Sequence, residues 1–182
     1  GGAAAFVTAG RMLRELGLSD EITLMVTGTV MEEDCDGLCW KYIIEESGIR
    51  PELVISTEPT NLGVYRGQRG RMEIGVDFRG VSCHGSAPER GDNAAYKAAR
   101  ACLAIEELHP RLAPNDFLGK GSVCVTEVTS SGPSLCAVPD HAHLHLDRRL
   151  TEGETEESAV AEVREAVAGL DATVSVLHYH GK

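Results

Sequence analysis

Positive charge is in short supply in this chain. Its 17 Lys and Arg face 28 Asp and Glu, giving a net charge of -11 and a pI near 5.0. Nucleic acid and anionic membranes both reward clustered basic residues, so neither is expected as a partner. No apolar run approaches the roughly 18 residues that a membrane span requires. The opening GGAAAFVT is apolar but short, with no basic flank and no cleavage pattern, and does not read as a signal peptide. It also lacks an initiator methionine, so the expectation is of a chain that starts within something longer. Six cysteines, at 35, 39, 83, 102, 124 and 136, include no CxxC pair. They are too few and too scattered for a disulfide scaffold, and a reducing cytoplasm is the compartment expected.

What is present is the composition of a globular protein, 42% hydrophobic and 25% charged. The 182 residues suffice for one ordinary domain or two small ones. Residues 3–16 read as a helix stopped by Gly17, and EITLMVTG (21–28) as a strand buried on both faces. Residues 36–47 read as a second helix, ended by Gly48, and ELVIST (52–57) as another buried strand. Helix, strand, helix, strand is part of an α/β layer with a parallel sheet, which places ligands past the carboxyl ends of its strands. Glu32, Glu33 and Glu58 fall at such ends.

The pattern changes near residue 70. RMEIGVDFR (71–79) alternates strictly, with Met72, Ile74, Val76 and Phe78 on one face. An alanine-rich helix over 92–108 follows, with Asp92 as its expected N-cap. Strands near 121–129 and 140–149 come next, then TEGE (151–154) as a capping box for a further helix. ATVSVLHYH (172–180) closes as a strand. The order β-α-β-β-α-β predicts an α+β, ferredoxin-like unit. The domain expectation is therefore 1–66, a partial α/β layer, and 67–182, a ferredoxin-like domain.

Four stretches could carry chemistry. MEEDCDGLCW packs four carboxylates into five residues, which suits either an acidic helix start or ligation of a cation. Glu58 in STEPT is a lone carboxylate, by itself as consistent with a surface charge as with a ligand. His84 in GVSCHGSAPERGDNA sits among small residues in a loop, where it is either solvated or a donor to a substrate oxygen. HAHLHLDRR (141–149) aligns His141, His143, His145, Asp147 and Arg149 on one strand face. That ladder is either the ordinary polar side of an antiparallel sheet or a chelator of zinc or nickel. Cys35 and Cys39 would share one side of a helix, but no further thiol or histidine pair at zinc spacing accompanies them.

Read in order, EED past one strand, STEPT past the next, then RGxxG, HGSAPxxGxNA, VPD and LDxR resemble the M20 family of metallohydrolases. This is the group of aminoacylase, succinyl-diaminopimelate desuccinylase and carboxypeptidase G2. GTVMEEDCDGLCW and YRGQRGRMEI look most like the selenium-metabolism-linked hydrolases within it. The resemblance implies a two-zinc enzyme, with cobalt or manganese as substitutes, that cleaves an amide bond of an N-acyl or N-carbamoyl amino acid or small peptide. It implies Glu32 as general base, Glu33 and Glu58 as metal ligands, and Arg149 and Asn93 as substrate contacts. His84 resembles the lid histidine that reaches into a partner subunit, so a homodimer through the lid, or dimerisation, domain is implied. Two departures stand out. The family's asparagine before VPD is Cys136 here, and the remaining metal ligands are expected outside these 182 residues. The competing expectation is a non-catalytic dimerisation or binding module that keeps the lid alone.

Overall fold

The computed structural model describes residues 1–18, 22–30 and 37–180. The chain divides into two units, Gly1–Arg66 and Gly67–Lys182.

In the N-terminal unit, helix α1 spans Gly2–Glu15 and helix α2 spans Leu38–Glu45. Gly17 and Gly48 follow them in the left-handed region, at φ 67° and 68°, where a residue without Cβ ends a helix most readily. Gly10 lets α1 approach the 22–26 segment: a Cβ there would lie 2.8 Å from Val26 Cγ2. Among the described residues, neither the strands expected at 21–28 and 52–57 nor a parallel sheet is observed in this unit. A parallel strand exists only with neighbours to hydrogen-bond and layers above and below to bury it. Among the described residues neither run has a strand to pair with, and Leu24, Val26, Val54 and Ile55 stay exposed.

The C-terminal unit carries the regular structure. Strand β1 is Gly70–Arg79, α3 is Ala94–Arg111, and β2 (Pro114–Asn115) and β3 (Gly119–Lys120) form a small ribbon. Strands β4 (Ser122–Ser131) and β5 (His141–Leu150), helix α4 (Glu156–Ala166) and strand β6 (Ala172–His180) complete it. The four long strands form one sheet in the order β4-β5-β1-β6, every neighbouring pair antiparallel. Alternation dictates its two faces. Met72, Ile74, Val76, Phe78, Ala142, Leu144, Leu146 and Leu150 are buried beneath α3 and α4. Each large apolar side chain among them contributes about 1.5–3 kcal/mol by leaving water. Small residues at Ala94, Ala98 and Ala101 line the buried stripe of α3, so that helix lies close to the sheet.

Two helix starts differ from expectation. Asn93, not Asp92, caps α3: its side-chain oxygen accepts from the amides of Ala95 (2.9 Å) and Tyr96 (3.3 Å). Asp92 is instead held in a bridge to Val81 and pairs with Lys97 at 2.5 Å. The capping box of α4 is formed by Thr155 and Ser158, one turn after TEGE. The Glu154 carboxylate turns back to accept from the Thr151 hydroxyl at 2.7 Å and also meets Arg148. The same carboxylate accepts the Thr151 amide at 2.5 Å, so it closes the 151–154 turn and meets the buried cation together, while the helix itself starts one turn later.

Candidate functional site around His84

The segment between β1 and α3 is a loop, tied at its base and along one side, that carries His84. Its base is closed by paired backbone bonds between Val81 and Asp92, at 2.8 and 2.9 Å. A Cβ on Gly80 would sit 2.1 Å from the Asp92 carbonyl oxygen, so only glycine allows the two strands of the loop to meet this closely. Lys97, nearly buried, locks the same base by donating to the Arg79 carbonyl at 2.7 Å while pairing with Asp92 and, at 3.5 Å, Asp171. The Asp92 carboxylate, opposed by burial and aided by Asp171, raises the Lys97 pKa above its ordinary value. Further out, the Val138 amide donates to the Cys83 carbonyl (2.8 Å) and the Gly85 amide to the Cys136 carbonyl (2.7 Å). His84, bridged to Ala137 between these bonds, is exposed. Its Nδ1 lies 2.8 Å from the Ser86 hydroxyl and accepts the Ser86 amide at 3.1 Å.

The other described candidates sit elsewhere. Asn93 stands at the end of this loop with its carbonyl oxygen committed to α3. Arg149 lies on the open face of the sheet, where its guanidinium meets the Asp147 carboxylate through two parallel bonds of 2.8 and 2.9 Å. Glu58 is an exposed residue of the N-terminal unit. Glu32 and Glu33, with Asp34, Cys35 and Asp36, lie outside the described residues. A groove of about 390 Å³ beside α1, lined by Arg11, Arg14, Leu24 and Val26, contains none of the candidates.

The histidine ladder is paired with acids rather than arranged around a cation. His143 Nδ1 and His141 Nε2 lie 3.1 and 3.3 Å from Asp77 Oδ1, and His145 Nε2 lies 3.2 Å from Glu73. Gly75 makes room for this, since a Cβ there would be 3.1 Å from His143 Cε1. Burial pushes the Asp77 carboxyl up, but His143 and His141 more than offset it and hold it below its usual range. Among the described residues no group of three or more His, Cys, Asp or Glu is placed to hold a metal ion.

The feature that sequence reading missed is Arg148. It occupies a core-face position between Leu146 and Leu150 and is fully buried. Its guanidinium meets Glu154, Glu162 at 2.9 Å and the Arg149 carbonyl at 2.7 Å. A charged residue at core parity in an otherwise apolar strand face was the available signal.

A model of the peptidase dimerisation domain of the M20 family matches residues 66–173, the stretch that holds His84, Asn93 and Arg149. The chain belongs to the M20 peptidase family. Among its M20 relatives, the uncharacterized protein YgeY of Escherichia coli is 59% identical over 181 residues, 98% of this chain and 45% of that protein. Acetylornithine deacetylase of Pectobacterium carotovorum subsp. carotovorum is 43% identical over 54 residues, 30% of this chain and 14% of that protein. The chain thus spans less than half the length of the relatives it matches. The solved aminobenzoyl-glutamate utilization protein from Klebsiella pneumoniae shares the fold, with a TM-score of 0.52 and 24% identity. That likeness covers 63% of this chain and 29% of that one. Among the described residues no helix is long and apolar enough to cross a membrane.

Proposed function

We propose that this chain is the lid domain and part of the catalytic layer of a zinc-dependent amidohydrolase. The observation that carries the reading is the family match over 66–173, reinforced by near-complete alignment of the chain to a relative at 59% identity. The β-α-β-β-α-β order of the unit's four long strands and two helices, with the β4-β5-β1-β6 sheet, supports reading it as ferredoxin-like. The substrate class is an N-acyl or N-carbamoyl amino acid or a small peptide, in keeping with the deacetylase among its relatives.

Glu58 offers the hard oxygen donor such metals take, and Glu33 offers a second. One described carboxylate is not a closed site, so the 182-residue chain should bind zinc weakly and hydrolyse little by itself. When bound, the two metals would supply electrophilic activation of the carbonyl and of the attacking water. The chain's own residues do the rest. Glu32 takes the proton of the water and passes it to the leaving amine. His84, entering from a second copy through a lid-mediated homodimer, donates to the tetrahedral oxyanion. Arg149 offers its planar guanidinium to the substrate carboxylate and would exchange its present pairing with Asp147 for it. Asn93 fixes the loop end beside the substrate.

The test is hydrolysis of N-acetyl and N-succinyl amino acids and small peptides by a longer protein containing this chain, with and without a chelator. Zinc-dependent turnover that Glu32→Gln abolishes is expected. Absence of turnover on every substrate, with a dimer still formed, would leave the non-catalytic dimerisation module as the reading.

A further inference from the structure

We propose that the Ser86 backbone amide fixes His84 as the tautomer that carries its hydrogen on Nε2, so that the ring faces outward as a neutral donor. For its catalytic meaning this rests on the function proposed above; for its structural content it does not. A backbone N–H can only donate, and that of Ser86 points at His84 Nδ1 from 3.1 Å. A hydrogen on Nδ1 would be driven against it, so Nδ1 must present its lone pair. A neutral imidazole has one ring hydrogen, which then belongs to Nε2. The Ser86 hydroxyl, 2.8 Å from the same nitrogen, is left to donate as well.

The backbone that carries the ring and the Ser86 amide is tied on both sides, which fixes that amide relative to residue 84. The Gly85 amide donates to Cys136, the Ala87 amide donates to the His84 carbonyl at 2.9 Å, and Val138 donates to Cys83. A Cβ on Gly85 would approach the Cys136 oxygen to 2.9 Å, so glycine is what allows the tie to be this short. The opposite tautomer would turn a lone pair towards an oxyanion and repel it. Ser86 is therefore a positioning residue, acting through His84, and its main chain is the active part.

Long-range proton–nitrogen correlation spectra of the full chain test this at about pH 8, above the ordinary imidazole range near 6.5. His84→Gln identifies the His84 signals among those of the seven histidines. The expected result is a protonated Nε2 and a bare Nδ1, unchanged in Ser86→Ala, which keeps the backbone amide. A wild-type Nδ1–H form, or a mixture, overturns the proposal. So does a switch of tautomer in Ser86→Ala, which would give the role to the hydroxyl. In the longer enzyme, His84→Gln sets an amide near the Nε2 position and His84→Asn sets one near Nδ1. His84→Asn should lose about 10²–10³ in kcat, as for removal of one oxyanion donor, and His84→Gln clearly less. Equal losses refute donation through Nε2. If neither variant changes kcat while the spectra are as expected, the tautomer stands and the hydrolase role of His84 falls.

Discussion

Replacing Arg148 by methionine is the sharpest test of how the C-terminal unit is held together. Methionine keeps the unbranched apolar stem and removes the charge. The guanidinium is fully buried, and its partners are two carboxylates and two main-chain carbonyls. Glu154, its side chain 19% exposed, would keep its bonds from Thr151 but lose its cation, and Glu162, 39% exposed, would be left to solvent. Breaking a fully buried pair from one side typically costs about 3–5 kcal/mol, and the partial exposure of both carboxylates sets the expected loss at the low end, about 3 kcal/mol. Against a whole-domain stability of about 5–15 kcal/mol, that is a large fraction. Urea unfolding followed by far-UV circular dichroism measures it. The pH dependence supplies a second check. Burial pushes the Glu154 carboxyl up, but its bonds from Thr151 and the charge of Arg148 hold it below its usual value. In the wild type its stabilisation is therefore present above the unfolded pKa, about 4.3, and is lost as pH falls through the lower folded value. In Arg148→Met the burial remains and the cation is gone, so the folded pKa rises and protonation relieves the variant. The gap between the two proteins should be widest near neutrality and close below about pH 4. A loss under about 1 kcal/mol at neutral pH, the range of an exposed pair, would refute the reasoning. So would a gap that widens on acidification.

Asn93→Ala should cost about 0.5–2 kcal/mol by uncapping α3, measured by the same unfolding; a neutral result would mean the cap is replaced by solvent. Asp77→Asn should flatten the acid limb of thermal melts, because a carboxyl held below its usual value stabilises above its unfolded pKa and loses that contribution as pH falls. An unchanged limb would show that the histidine pairs contribute nothing in solution. Gly75→Ala places a Cβ 3.1 Å from both His143 Cε1 and Ser175 Oγ, so it should displace the imidazole and reproduce the acid behaviour of Asp77→Asn. Its overpacking should add about 1–3 kcal/mol of destabilisation at every pH.

The sheet was legible where a simple period governs it. Strict alternation over 71–79 and 141–149 identified both faces of β1 and β5, because a two-residue period leaves no choice once one face is apolar. Helix starts were less legible. Asp92 and Asn93 are both good caps by type, and what separates them is Lys97, which draws Asp92 away from the terminus. The reciprocal bonds of Thr155 and Ser158 mark the start of α4, while TEGE closes a turn of its own, with Glu154 accepting from Thr151 as it meets Arg148. The runs at 21–28 and 52–57 read as strands by apolarity alone, yet strand formation depends on neighbours that no local window contains. For the candidate site, sequence could single out His84 but not its tautomer, which depends on a main-chain amide two residues away.

The tie between Gly85 and residue 136 runs from main chain to main chain, while the Cys136 side chain is exposed. Such a position is silent in any comparison of side chains: the contact persists whatever residue stands there, and its variation says nothing about loss of the histidine loop. It also makes the Cys136 thiol a practical handle. A spectroscopic label attached there would ride with His84 and report its movements without severing the bond that positions it.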